Sequence, residues 1–117
     1  RRPLVAMSRK MIEDELAKGE AFGAVPVAYG SDAYPALLAQ IYDPPPVLFA
    51  KGRLEWLGRT AKLAMVGSRN ASANGHALAR RMAAEAGERG LCVVSGLARG
   101  IDAGAHWGAL PHGTIGV

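Results

Sequence analysis

Hydrophobic positions from residue 61 onward form short unbroken runs that alternate with stretches of helical spacing. Unbroken apolar runs are typical of parallel strands, because both faces of a parallel sheet are usually covered. Strands that alternate with helices indicate a parallel α/β sheet. The apolar positions of the first helix are Leu78, Met82 and Ala86, which share one face. The pattern predicts strands at residues 62–67, 91–94 and 113–117 and helices at residues 76–88 and 101–110.

The first 60 residues predict smaller elements. Ser8 is a suitable N-cap for the first helix, and Gly19 is expected to end it. Pro26 suggests that the strand containing it lies at an edge, since proline cannot donate to a neighbouring strand. We expect a boundary between a small helical element and the α/β body near residues 19–30. The predicted elements are a helix at 8–18, a strand at 24–28, a short helix at 36–41, a rigid proline-rich connector at 43–46 and a buried strand at 47–50.

Composition limits the class of protein. Half of the 117 residues are hydrophobic and 21% are charged, which is typical of a globular chain and not of a disordered one. No apolar run approaches the roughly 18 residues of a membrane-spanning helix, so we expect no membrane association. The single cysteine, Cys92, cannot form a disulfide within the chain. With no secretory signal in the pattern, we predict a cytoplasmic protein.

The positive charge of the chain is unevenly distributed. Residues 1–60 hold eight Lys and Arg against seven Asp and Glu, whereas residues 61–117 hold six against three. A basic excess favours a polyanionic partner. The alternative is that the excess only reflects an arginine-rich source proteome.

Two segments at predicted strand ends are rich in Gly, Ser and Arg. They run from Gly67 to Gly75 and from Ser95 to Gly100. Ligands of open parallel sheets bind at the carboxyl ends of the strands, where backbone N–H groups, hydroxyls and guanidinium groups can surround a phosphate. The alternative is that both are tight turns in which glycine serves only backbone geometry. Arg69 and Arg99 are the leading phosphate-binding candidates.

Sequence motifs of common enzymes are missing. The chain contains neither the G-x-G-x-x-G dinucleotide fingerprint nor the G-x-x-x-x-G-K-[ST] phosphate loop. Ser95, Asp102 and His106 supply the residue types of a hydrolytic triad. However, Val93 stands where the G-x-S-x-G elbow requires glycine. Asp102 and His106 are one helical turn apart, so we predict a simple pair between them and no catalytic residue.

Two further residue types leave alternatives open. The three histidines show no metal-ligand spacing with Cys92, so we predict neither a metal nor a cofactor. Trp56 and Trp107 could stack on nucleic-acid bases, although packing is the commoner role of tryptophan.

Several motifs in order resemble the DprA/Smf DNA-processing family. They begin with Tyr34-Pro35 and the run D-P-P-P-V-L-F-A-K-G at residues 43–52. Met65-Val-Gly-Ser-Arg69 follows, and the most specific motif is V-S-G-L-A-R-G-I-D-x-x-A-H at residues 94–106. The resemblance extends from about residue 30 to the end.

The resemblance implies an extended Rossmann-like fold that binds single-stranded DNA without an established catalytic activity. It also implies protection of incoming strands during natural transformation, loading of the RecA recombinase onto them, and a homodimer in the full-length protein. Residues 1–22 would then be the tail of a small N-terminal helical domain. Residues 23–117 would be the first part of the Rossmann-like domain, whose C-terminal remainder is absent here.

The family's DNA-binding pocket can be placed on this sequence residue by residue. Backbone amides of the two loops would hold phosphates, and Arg69 would supply charge. The predicted DNA contacts are Gly67, Ser68, Arg69, Ser95, Gly96, Leu97, Ala98 and Arg99, and the residues predicted to organise the loops are Gly75, Gly100, Asp102 and His106. Two other functions remain open: a nucleotide-processing enzyme with the same phosphate-binding fold, and a scaffold that only docks a protein such as the recombinase.

Overall fold

A computed structural model describes residues 7–59 and 61–117. Contacts within the chain form two compact units, one ending at Leu54 and the other spanning Glu55–Val117. The domain boundary predicted between residues 22 and 23 stays a prediction.

The first unit begins with helix α1, Arg9–Ala21. The predicted cap is confirmed, because the Ser8 hydroxyl accepts a hydrogen bond from the backbone N–H of Met11. The prediction that Gly19 ends the helix is wrong. A Cβ atom on Gly19 would lie 2.5 Å from a ring carbon of Phe49. Gly19 therefore lets an aromatic ring pack against the helix, which continues for two further residues.

An antiparallel pair of strands completes the first unit. Strand β1, Val25–Ala28, and strand β2, Val47–Ala50, lie where the two apolar runs predict strands, and they pair with each other. Between them lies a 3-10 helix, Leu38–Gln40, shorter than the predicted helix. The Tyr34 hydroxyl donates to the carbonyl of Pro45 over 2.7 Å and anchors the proline connector. Strand β2 is only partly buried, since two of its four residues are exposed.

The second unit contains a three-stranded parallel sheet in the order β3-β4-β5. The strands are β3, Lys62–Ala64, β4, Cys92–Ser95, and β5, Thr114–Gly116. Lys62 pairs with Cys92, and Val93 pairs with Thr114. The α/β fold with a parallel sheet is therefore confirmed, with β3 and β5 shorter than the apolar runs that predicted them and β4 shifted by one residue.

Helices α2, Ala73–Glu88, and α3, Ile101–Ala109, pack on the same face of this sheet. Of the apolar face predicted from Leu78, Met82 and Ala86, only Ala86 is buried, whereas Leu78 and Met82 are about half exposed. Small residues form the inward surface instead, since they allow the two helices to approach closely. The core consists of Met65, Ala79, Ala83, Ala86, Val93, Ala105 and Ala109, with Leu63, Leu91 and Ile101 packed against it.

Cys92 occupies the centre of the sheet and is fully buried. Burial raises the pKa of its thiol, and the nearby charges of Lys62 and Arg59 partly oppose this. The Lys62 ammonium donates to the carbonyls of Leu57 and Arg59, which ties the start of β3 to the segment before it. Within the described residues, every helix is too short or too polar to span a bilayer.

Candidate nucleic-acid interface

The loops that follow β3 and β4 contact each other directly. The first comprises residues 65–72 and the second residues 96–100. The N–H of Ile101 donates to the carbonyl of Ser68 over 3.2 Å. A Cβ atom on Gly100 would collide with that same carbonyl and would lie 2.8 Å from the carbonyl oxygen of Arg69. Gly100 also has a φ of 86°, which favours glycine. The two loops therefore form one surface.

Gly67 permits a second close approach between the same elements. A Cβ atom at this position would lie 2.6 Å from the Ile101 side chain. The first residue of α3 therefore rests on the backbone of the first loop. Glycine is needed here for close packing, and this packing also brings the first loop beside the second.

Ser95 acts as a brace beneath the loops. Its hydroxyl donates to the carbonyl of Met65 over 2.6 Å, and the residue is 3% exposed. This bond joins the end of β4 to the end of β3. The Ser95 hydroxyl is therefore not presented to a ligand, and it makes no contact with His106 of the kind that a hydrolytic triad requires.

His106 supports the second loop from α3. Its Nε2 lies 2.7 Å from the carbonyl of Gly96, and its Nδ1 lies 2.7 Å from the Thr114 hydroxyl. Because a carbonyl can only accept, Nε2 carries a proton and donates it. The Thr114 hydroxyl in turn lies 3.0 Å from the carbonyl of Val93. The pair predicted between Asp102 and His106 is thus wrong, since both ring nitrogens face other groups.

Asp102 lies against the backbone of the second loop. A Cβ atom on Gly96 would be 2.5 Å from its carboxylate oxygen Oδ2. The carboxylate occupies the first turn of α3, where the helix dipole favours negative charge. An anion that approached Gly96 would meet repulsion from this group. The more favourable place for an anion is therefore the side of the surface formed by the first loop and Arg99.

Hydrogen-bond donors of both loops remain available. The side chains of Arg69 and Arg99 are exposed. Among the described residues, no backbone carbonyl accepts a hydrogen bond from the backbone N–H groups of residues 67–69 and 96–99. The Ser68 hydroxyl accepts from the N–H of Asn70 over 3.1 Å and keeps its own hydrogen to donate. The surface can therefore surround a phosphate with main-chain, hydroxyl and guanidinium donors.

The remaining predicted residues have different positions. Leu97 is 78% exposed and its side chain lies over Gly116 of β5. Ala98 lies in the second loop and is half-buried. Gly75 belongs to the first turn of α2 and not to the loop, because the helix begins at Ala73 with Ser72 as its N-cap. The N–H of Gly75 donates to the Ser72 hydroxyl over 3.1 Å.

Two residues that shape this surface were missed by the loop motifs. Ile101 packs on Gly67, and Thr114 positions His106. The contact between Gly67 and Ile101 joins residues 34 positions apart, so local spacing gives no signal for it, and the contact between His106 and Thr114 joins two consecutive elements. In residues 7–59 and 61–117, His, Cys, Asp and Glu side chains form no group of three that could hold a metal ion.

Comparison with known proteins decides the family. The family model for the DNA recombination-mediator protein A matches residues 26–117. The chain belongs to the DNA recombination-mediator protein A family. The DNA processing protein DprA of Streptococcus pneumoniae is 40% identical over 114 residues, which are 97% of this chain. DprA of Bacillus subtilis is 40% identical over 87 residues, or 74% of this chain.

The solved structure of Streptococcus pneumoniae DprA also confirms the Rossmann-like fold predicted from the motifs. It superposes with a TM-score of 0.77 at 36% identity over 95% of this chain. The chain spans 40% of the length of the Streptococcus pneumoniae relative and 29% of the Bacillus subtilis relative.

Proposed function

We propose that the surface formed by the two loops binds single-stranded DNA. One observation supports this most: the loops meet at Gly100 and Ser68, so that exposed arginines and unpaired N–H groups of both loops share one surface. Such a surface suits the backbone of a nucleic acid, whose phosphates supply most of the affinity. The relatives are DNA processing proteins, which agrees with a nucleic-acid ligand.

Apolar side chains in the loops favour a single strand over a duplex. Val66 is 81% exposed and Leu97 is 78% exposed. Unpaired bases can lie on such side chains, whereas a duplex keeps its bases inside the helix and offers mainly phosphates to a surface. Recognition through phosphates and apolar contacts depends little on sequence, so we expect weak base preference.

The mechanism is binding without catalysis. Phosphates contact the N–H groups of residues 67–69, the Ser68 hydroxyl and the guanidinium groups of Arg69 and Arg99. Asp102 keeps the phosphate away from Gly96. The buried Ser95 hydroxyl donates to the Met65 carbonyl and does not reach these donors as a nucleophile.

Further roles are proposed for the whole protein, whose relatives are more than twice as long as this chain. They are protection of single strands in the cytoplasm, delivery of those strands to the RecA recombinase, and assembly as a homodimer. Protection and delivery extend the proposed single-strand binding, since a mediator that covers a strand must also release it to the recombinase, and the homodimer rests on the resemblance to the DprA/Smf family.

Fluorescence anisotropy with a labelled single-stranded oligonucleotide tests the proposal across a salt series. We expect affinity to fall steeply with salt. Arg69→Ala and Arg99→Ala should each weaken binding, and each should lower the slope of log K against log salt by about 0.7 for every phosphate that the variant no longer binds. Arg89→Ala is the matched control, because it removes the same charge from an exposed site at the end of α2.

Three results would contradict the proposal. They are salt-independent binding, equal weakening in Arg89→Ala and in the loop variants, and preference for a duplex over the single strand. Turnover of a free nucleotide by the parent protein would favour the nucleotide-processing enzyme instead.

A further inference from the structure

A groove separate from the loop surface runs between α2 and α3. It has a volume of about 510 Å³ and lies on the side of the helices that faces away from the sheet. Its charged and aromatic lining consists of Arg80, Arg81 and Glu88 from α2, Trp107 from α3, and His112 just after α3. We propose that this groove is a second contact for single-stranded DNA, in which a base stacks on Trp107. The proposal rests on the single-strand binding proposed above.

Trp107 is exposed because of how the helices pack. The inward face of α3 is formed by Gly104, Ala105, Gly108 and Ala109. Trp107 lies outside that face and is 61% exposed. A Cβ atom on Gly108 would collide with the carbonyl of Arg80, so the two backbones touch and form the floor of the groove. The indole therefore stands beside a shallow channel instead of filling a gap in the core.

The charges of the groove suit an anionic ligand with an aromatic part. The guanidinium groups of Arg80 and Arg81 outnumber the single carboxylate of Glu88, so the lining has a net positive charge. Arg81 is 3.9 Å from Glu85 in an exposed pair, and such pairs hold an arginine only weakly. A positive groove with an aromatic platform is the arrangement that binds single strands through phosphates and stacked bases. Glu88 would limit the phosphate path on one side.

One strand can reach both surfaces. The loop surface lies at the start of α3 and Trp107 lies in its last turn. Trp107 comes seven positions after Gly100, which corresponds to about 10 Å along a helix axis. The groove volume is also within the range of about 300–1,000 Å³ that is usual for sites holding small aromatic ligands. A short oligonucleotide on the loops could therefore place a base in the groove.

Tryptophan fluorescence with an oligodeoxythymidylate gives the direct test. We expect the strand to quench the emission of the parent protein and to leave Trp107→Phe unquenched, since the remaining Trp56 packs against Gly113. In anisotropy, Trp107→Ala should weaken binding by about tenfold and Trp107→Phe by less, because phenylalanine keeps a ring for stacking. The single variants Arg80→Ala and Arg81→Ala should each bind more weakly than Arg89→Ala, which removes the same charge, and circular dichroism checks that every variant is folded.

Loop variants separate this proposal from the proposed function. At saturating DNA, Arg69→Ala should still show quenching of Trp107 despite its lower affinity. Quenching that persists in Trp107→Phe would overturn the groove proposal alone. The same holds if Trp107→Ala binds the strand as tightly as the parent protein does. Competition at the groove by an acidic peptide, with no effect of DNA on Trp107, would also overturn it and would assign the groove to a protein segment. A parent protein that binds no single strand would overturn both proposals.

Discussion

Polar side chains nearest the strand ends mainly hold the loops in place. The Ser95 hydroxyl joins β4 to the Met65 carbonyl, and His106 holds the Gly96 carbonyl. Both residues belong to a motif whose composition resembles a ligand site. Their contacts show that the motif builds the surface, while the exposed donors of Ser68, Arg69 and Arg99 are left for a ligand.

Cys92 gives a pH-dependent prediction at the same scale. Burial raises the pKa of its thiol above the ordinary value of 9.0. Below that value the thiol is neutral in both states and its contribution to stability is complete. As pH rises further, the unfolded chain loses the proton first, so stability falls until the folded pKa is passed. The midpoint of urea unfolding should therefore fall faster above pH 9 in the parent than in Cys92→Ala.

The comparison between parent and variant removes the effects of lysines and tyrosines, which titrate in both. Cys92→Ala also leaves a small cavity, which lowers stability about equally at every pH. Parallel pH profiles for the two proteins would contradict the assigned shift.

At the scale of elements, α2 and α3 pack through residues with little or no side chain. The Gly108 backbone touches the carbonyl of Arg80, and a Cβ atom on Gly104 would lie 2.9 Å from the carbonyl of His76. Rigid backbone atoms cannot move aside as a flexible side chain can. The helix pair is therefore less tolerant of added volume than its mostly alanine core suggests.

Gly108→Ala tests this packing. In an open helix position, Gly→Ala stabilises by about 0.5–1 kcal/mol. Here the added methyl group should separate the helices and lower the free energy of unfolding by about 1–3 kcal/mol. Denaturant unfolding measures the change. Gly58→Ala is the control, since its Cβ would meet the nearest atom at 3.7 Å and should shift stability by less than about 0.5 kcal/mol. A stabilised Gly108→Ala would show that the helices are not in close contact.

Local patterns predicted the elements better than the contacts between them. Ser8 as a cap follows from neighbouring residues, and the parallel sheet follows from the alternation of elements. The apolar face predicted for α2 is buried only at Ala86, because close helix packing is made by alanines and leaves the larger Leu78 and Met82 half exposed. The contact between Gly100 and Ser68 joins distant residues, and only the folded sheet brings them together. Their role in DNA binding stays a prediction.

At the scale of the whole molecule, the edge formed by β3 is a surface open to association. Within the part of the chain that the structure describes, β3 pairs only with β4. Beside this edge lies an apolar groove of about 400 Å³, lined in part by Val66, Leu78 and Met82, each at least 47% exposed. An unpaired strand edge next to exposed apolar side chains favours pairing with another chain.

We therefore expect the 117-residue chain to self-associate with rising concentration in analytical ultracentrifugation. The double variant Leu78→Lys with Met82→Lys should raise the dissociation constant by about tenfold or more, because covering unpaired ammonium groups costs more than about 1.4 kcal/mol. Leu37→Lys with Leu110→Lys adds the same two charges at residues that are also exposed and lie outside the groove. If both double variants weaken association equally, net charge and not the β3 edge controls it. If only the groove variant does, the apolar groove beside β3 is part of the contact between chains.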